Sequence, residues 1–434
     1  MTTGEAPPQG EVEEVPAHVQ ATALANEYVA NTLGEWLRGQ WLKIKGGDSG
    51  ALPVLVGFVV IILIFQTQNS HFLGAANLVN LINQAALFIV FGMAEIFILL
   101  LGEIDLSIGF NAGVGAAVTA ELAAPPHNQN WFIAVLAGVA VCAFFGGVQG
   151  LIITRLGLPA FIVTLAGYLG LQGVSLYLFN QDKHAVGGTI SVTNGVLNGI
   201  INSSLSPAAG WIVMTAVVAL FAVVSVVSYQ RRVARSLAAP PFALVLIKIG
   251  LLAGAGVVLV LICNQNRSLS LITKLQGVPY VVLVVLALVV VYTFILDKTK
   301  FGRYVYAIGG NAEAARRAGI KVNAIRLSCF VLAGFTAGIA GVISDSFLGS
   351  AQSNFAGGTY VLYAVAAGVI GGTSLFGGRG RMVHALIGGL VIASIANGMF
   401  LLGLSSAAQE IVNALVLLAA VTIDALARRQ ATVR

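Results

Sequence analysis

Three carboxylates, Glu95, Glu103 and Asp105, fall within one short part of an otherwise apolar stretch. An ionised carboxylate at the centre of a bilayer costs about 2.5–3.5 kcal/mol on insertion scales and marks a functional site by default. The chemistry it would serve is a proton or cation relay, making the chain an ion-coupled secondary transporter built on Glu95 or Asp105. Spacing offers a plainer role for two of the three. Glu103 and Asp105 stand at a helix break, where Asp105 can cap a span that starts at Leu106. Glu95 lies about two turns inside its own span, where it is neutral or hydrogen-bonded to a neighbouring helix.

A second set comprises Asn83, Gln84, Asn111, Gln149, Thr164, Gln172, Thr373, Ser374 and Asn397. Amides and hydroxyls of this kind match a neutral, polyhydroxylated solute in a wet cavity. Taken singly, each is better explained as an interhelical hydrogen bond. No metal is expected: His71, His127 and His184 fall between apolar runs without ligand spacing. Cys142, Cys263 and Cys329 lie inside such runs without a CxxC pattern. A membrane-embedded enzyme is disfavoured, since no His pair, Ser-Lys pair or Asp pair stands at matching depth.

The elements that position these residues are membrane helices. The chain has 434 residues, 58% hydrophobic and 9% charged, with a mean hydropathy of +0.91. Soluble domains carry about 25% charged residues, so the fold class is all-α, a polytopic transmembrane helical bundle. A crossing needs roughly 20 apolar residues. Twelve candidates follow: 51–66, 78–101, 106–124, 131–154, 160–179, 210–229, 243–263, 278–296, 327–348, 358–376, 384–403 and 410–426. The break at "LGEIDLSIG" is short, and residues 358–381 are glycine-rich enough to bend or re-enter.

An even count from a cytoplasmic N-terminus returns the C-terminus to the same side. Of the 23 Lys and Arg residues, only Lys183, Arg267 and Lys274 then fall outside, as the positive-inside rule requires. The net charge of +6 therefore reports topology and not nucleic-acid binding. Residues 1–50 open with Glu5, Glu11, Glu13 and Glu14, unlike a secretory signal. Over 24–44 they carry apolar residues at helical spacing, as an amphipathic helix on membrane lipid would. Gly334 with Gly338, and Gly113, mark close helix packing.

The longest cytoplasmic segment, 297–326, holds seven of the basic residues. Gly309 and Gly310 precede Asn311, which stands at an N-cap position. Glu313 falls in the first turn of the helix so defined and Arg316 and Arg317 in its last, each favourable in the helix dipole. Gly319 stands where a left-handed residue would end it. About two turns are too few to be stable alone, so the helix must dock, either on the protein's own face or on a partner.

"TKFGRYVYAIGGNAEAARRAGIKV" resembles the cytoplasmic coupling segment of ribose/xylose-type permease subunits of bacterial ATP-binding-cassette sugar importers. "GEIDLSIG" (102–109), "QGLIITRLGLPAFIVTLAGYLGLQGVSL" (149–176), "YAVAAGVIGGTSLFGGRG" (363–380) and "NGMFLLGLSSAAQEIVNALVLLAAVTID" (397–424) resemble other signatures of that family, in family order. The resemblance implies a multi-pass protein of the bacterial cytoplasmic membrane and a permease domain over 51–426. It also implies that Gly309, Gly310, Asn311, Glu313, Ala314, Ala315, Arg316, Arg317 and Gly319 engage a separate cytoplasmic ATPase. In the same way it implies an extracytoplasmic sugar-binding protein, a second permease copy, and alternating access driven by ATP. The chain has no GxxxxGK[ST] loop, so ATP and Mg would sit on the partner and this subunit would not be an enzyme. Residues 230–277 look like an insertion with an extra helix pair, similar to the xylose-type branch, as is the apolar Leu362 beside Tyr363. Residues 427–434 would form a cytoplasmic tail.

Overall fold

The computed structural model describes residues 52–432, apart from 182–184, 186, 238 and 269–273, together with Gly34, Glu35 and Arg38. The amphipathic helix expected over 24–44 lies outside the described residues except for those three, as do Lys183 and His184.

The described residues are mostly helical. In order come α1 (Leu52–Gln68), α2 (Ala75–Leu99), α3 (Ile108–Ala123), α4 (Trp131–Leu156) and α5 (Ala160–Gln181). After β1 (Thr189–Ser191) follow α6 (Gly195–Asn202), α7 (Pro207–Ala234), α8 (Phe242–Cys263), α9 (Tyr280–Lys298), α10 (Lys300–Gly310) and α11 (Ala312–Arg317). The last part holds α12 (Val322–Leu348), β2 (Ser350–Gln352), α13 (Gly357–Ile370), α14 (Met382–Leu401) and α15 (Ser406–Thr432). Eight of these, α2, α4, α5, α7, α8, α9, α12 and α14, are long and apolar enough to cross a membrane. Shorter apolar helices occupy Val54–Gln68, Ile108–Ala123, Gly357–Ile370 and Ser406–Ala419. The protein is a polytopic helical membrane protein.

The described residues group into two bodies. In the smaller, over Val217–Ala253, Tyr229 and Phe242 bring their rings within 5.1 Å, closing the turn between α7 and α8. The larger body, Ala51–Ala216 with Gly254–Ala425, holds the core. Its centre is α2, buried continuously from Ala85 to Leu99 and packed against α12, α13 and α14. A helix apolar on every side is one enclosed by others.

Small residues let these helices touch. A Cβ on Gly334 would lie 2.3 Å from the Cys142 carbonyl oxygen, and one on Gly338 would lie 2.8 Å from Val139 Cα. These two glycines thus set the α12–α4 contact, as their spacing suggests. Gly113 packs instead against the Phe355 ring.

Loops far apart in sequence also meet. β1 and β2 pair antiparallel, with Ile190 opposite Ala351, which brings the chain after α5 to the chain after α12. Nearby, Ser346 Oγ accepts from Ile201 N–H at 3.0 Å and donates to the Asn198 carbonyl at 2.9 Å, fastening α6 to α12.

Two expected spans are corrected. The span expected over 358–376 ends at Ile370, because Gly372 takes φ +110° and turns the chain. The fourteen-residue α13 is about 21 Å long. The helix expected from Leu106 begins at Ile108. Asp105 accepts from the Ser107 N–H at 2.8 Å, so it organises the turn before α3 and does not cap the helix itself.

Candidate coupling site and buried polar residues

The short helix forms where its end residues place it. Asn311 Oδ1 accepts from the Ala314 N–H at 2.9 Å, an N-cap bond. At the other end Gly319 has φ +82°. Its N–H reaches the Arg316 carbonyl at 3.0 Å, and the Ile320 N–H reaches Ala315 at 3.1 Å. That pair of bonds is a Schellman motif. Glu313 pairs with Arg316 at 2.9 Å and Arg317 at 3.2 Å. All three side chains are more than half exposed, so the pairs add little stability and the charges stay available to a partner. Ala315 is the buried residue of α11.

The preceding segment departs from a purely polar reading. Residues 300–310 form α10, an amphipathic helix that buries Gly302, Val305 and Ile308. It ends on a junction of three backbones. A Cβ on Gly309 would stand 1.8 Å from the Leu100 carbonyl oxygen and 2.5 Å from the Gly378 nitrogen. The Gly378 N–H donates to that same carbonyl at 3.0 Å. Gly377 lies against Gly102 and the Gly309 carbonyl. Tyr306 Oη donates to the Gly380 carbonyl at 2.8 Å. Burial, with Asp297 nearby, pushes the phenol up to about 12, so it remains a donor throughout the physiological range. Gly310 is exposed and a Cβ there would meet nothing within 4 Å. The end of α10, from which α11 continues, is thus set directly on the end of the central helix α2 and on the turn after α13.

A charged contact adjoins this junction. Arg326, in the second turn of α12, pairs with Glu103 in the α2–α3 break, both side chains being mostly buried. Burial pushes the Glu103 carboxyl up, and the guanidinium opposes this. The pair joins positions 223 residues apart, and no local pattern announces it.

The remaining polar residues divide into separate groups. Glu95 Oε1 accepts from the Asp105 N–H at 3.1 Å, while Glu95 Oε2 has no hydrogen-bond partner among the described residues. Ser107 Oγ lies 2.6 Å from Asp105 Oδ1 and 2.9 Å from Gln149 Oε1. It has one proton for two acceptors, so a proton on Asp105 or a turned Gln149 amide completes the set. Thr164 Oγ1 is 3.4 Å from the Ile104 carbonyl in the same break. Asn111 Nδ2 donates to the Cys142 carbonyl at 3.0 Å, joining α3 to α4. Asn397 and Asn77 exchange amide bonds at 2.8 and 3.0 Å, an interhelical lock between α14 and α2.

Thr373 and Ser374 belong to the glycine turn beside the junction. Thr373 Oγ1 lies 3.1 Å from His384 Nδ1, and Ser374 Oγ accepts from the Phe376 N–H at 3.2 Å. Asn83 and Gln84 on α2 and Gln172 on α5 are half-buried. One buried acid escapes the sequence reading altogether: Asp345 in α12 is 3% exposed, and its Oδ2 has no hydrogen-bond partner among the described residues. Its only signal is the run "ISDS" late in an apolar span.

A bundle of membrane helices with its polar groups tied between helices, carrying one small exposed helix beside the ends of its core, defines a polytopic helical membrane protein. A family model described as "Branched-chain amino acid transport system / permease component" matches residues 77–421. The chain belongs to that permease family and is a multi-pass protein of the cytoplasmic membrane. It is similar to the xylose transport system permease protein XylH of Haemophilus influenzae, 35% identical over 392 residues, covering 88% of this chain and 98% of the relative. It is 32% identical to XylH of Escherichia coli K12 over 399 residues, 89% of this chain and 96% of the relative. It is 32% identical to the ribose import permease protein RbsC of the same strain over 370 residues, 85% and 92% of the two chains. No solved structure matches the chain.

Proposed function

We propose that this chain is the membrane-spanning subunit of an ATP-driven importer of a monosaccharide, xylose or a related pentose being the first choice. The choice of sugar rests on what the similar permeases are named for. The observation that carries the mechanism is the mounting of α11. A capped, exposed helix too short to stand alone follows α10, whose end is held by backbone contact to the end of α2 and to the turn after α13. A cytoplasmic ATPase that grips α11 and moves on binding ATP would displace the buried centre of the bundle. Two permease copies would form the pathway, and an extracytoplasmic binding protein would deliver the sugar.

The proposed topology has twelve crossings, α1–α5, α7–α9 and α12–α15, with both termini cytoplasmic. Three contacts support it. With the crossings alternating in direction, the paired strands β1 and β2 share the outer side. The Leu100, Gly309 and Gly378 junction lies wholly on the inner side. Asn69 Nδ2, after α1, donates to the Leu401 carbonyl at the end of α14, again on the outer side.

The test is uptake into proteoliposomes. Transport is expected to require the partner ATPase, internal ATP and the binding protein, and to survive ionophores. Uptake by this chain alone, driven by a proton or sodium gradient, would overturn the proposal in favour of a relay through Glu95 or Asp105.

A further inference from the structure

An open groove of about 470 Å³ lies where α9, α10 and α12 meet, lined by Ile295, Phe301, Leu327, Ser328, Val331 and Leu332. That volume is within the range of clefts that hold small molecules, about 300–1,000 Å³. The lining is apolar in effect as well as in name, since Ser328 Oγ spends its proton on the Ala324 carbonyl at 2.9 Å. Ile295 lies near the end of α9 and Leu327 to Leu332 near the start of α12, both helices long and apolar enough to cross the membrane, so in the proposed topology the groove lies at the cytoplasmic end of the bundle. Its apolar lining suits an acyl chain or a second copy of the chain.

The charges around it decide between those two. Lys298 follows Ile295 by one turn, Lys300 precedes Phe301, and Arg303 follows it in α10; all three are exposed. Among the described residues none of the three has an ion pair, whereas Arg316, Arg317 and Arg326 are already engaged. The acid nearest in sequence is the exposed Asp297, which leaves a net positive rim. A second copy seated here would bring the same three cations against themselves, whereas basic pockets between membrane helices suit anionic headgroups.

We propose that this groove is a binding site for an anionic phospholipid, one acyl chain lying between α9 and α12 and the headgroup resting on Lys298, Lys300 and Arg303. Such a lipid would wedge α10, and through it the mount of α11, against α12. The site stands on the groove and its rim alone, independently of the transported solute.

The experiment places the full chain in nanodiscs of equal phosphatidylglycerol and phosphatidylcholine and counts lipid retained after detergent extraction by native mass spectrometry. Preferential retention of phosphatidylglycerol is expected. The preference should fall by about fivefold for each cation removed in Lys298→Gln, Lys300→Gln and Arg303→Gln, the weight of one basic residue at an anionic surface. Neutralising Arg231, Arg232 and Arg235 by Gln should leave it unchanged. Val331→Trp, which fills the groove, should abolish retention. Should that variant fail to fold, Ser328→Trp provides the second reading, with quenching by brominated phosphatidylglycerol exceeding that by brominated phosphatidylcholine. Equal retention of the two lipids, equal quenching, or loss of preference on changing the Arg231 cluster would overturn the site. So would a Ser328→Cys disulfide between two copies, which would make the groove a permease–permease contact.

Discussion

Replacing Gly309 with Ala tests the junction that mounts the short helix, and its neighbour supplies the control. The new methyl would stand 1.8 Å from the Leu100 carbonyl oxygen and 2.5 Å from the Gly378 nitrogen. Neither atom belongs to a flexible side chain, so α10 must move away from α2. Overpacking of this kind costs about 1–3 kcal/mol. Breaking the Gly378 N–H bond to Leu100 adds about 0.5–1.5 kcal/mol. Alanine regains up to about 1 kcal/mol from its helix propensity. With that gain realised in full, the net loss is about 0.5–3.5 kcal/mol. At Gly310, where a Cβ meets nothing within 4 Å, only the propensity gain operates and Ala should be neutral or slightly stabilising. A thermal melt in detergent and binding-protein-stimulated ATP hydrolysis after reconstitution with the ATPase read the two consequences. Gly309→Ala should lower both the melting temperature and the stimulated turnover, and Gly310→Ala should change neither. If the two variants behave alike, the backbone junction is not what links α11 to the bundle.

Arg316→Glu with Arg317→Glu should leave the permease melt intact and weaken ATPase co-purification. That defect should vary with ionic strength, since exposed charges are screened within about 10 Å at 0.1 M salt. Gly319→Val, which forces a β-branched residue to φ +82° at a cost of about 1–2 kcal/mol, should reduce capture without that salt dependence. Arg326→Gln strands the Glu103 carboxylate and should destabilise the detergent-solubilised chain by as much as about 3 kcal/mol. Adding Glu103→Gln should recover most of the loss, and an additive double mutant would show that the two residues are not coupled. Single cysteines beside Arg267 and Arg379 should label from opposite sides of the membrane; labelling from one side would break the twelve-crossing topology.

What the sequence discloses here follows the range of the interactions. The caps of α11 are legible because Asn311, Glu313, Arg316, Arg317 and Gly319 act within one short helix, and their residue types carry the geometry. Gly334 and Gly338 are legible as packing residues for the same reason, their spacing being that of one helix face. The Glu103–Arg326 pair and the Asn77–Asn397 lock are not, since each joins helices that only the tertiary fold brings together. Amphipathic α10 hides inside a basic loop because two of its three buried residues, Val305 and Ile308, are one turn apart and the third is a glycine. Asp345 hides because a single acid late in an apolar run hardly alters its hydropathy. Asp105 sits at the break that the sequence marks, but its carboxyl serves the turn before the helix, a difference of two residues that spacing cannot resolve. Thr373 and Ser374 lie in the glycine turn whose position beside Leu100 and Gly309 only the tertiary fold reveals.

The contact between Gly309, Leu100 and Gly378 is made entirely of main chain. It contains no group that titrates near neutrality, binds a counterion or can be phosphorylated. A push delivered there is set by hard-sphere distance, so its transmission should hold across cytoplasmic acidity, salt and membrane voltage. The adjustable part of the machine would be the grip on α11, through Glu313, Arg316 and Arg317, while the stroke behind it stays constant. Conditions could change how often the motor is attached without changing how far each attachment moves the bundle.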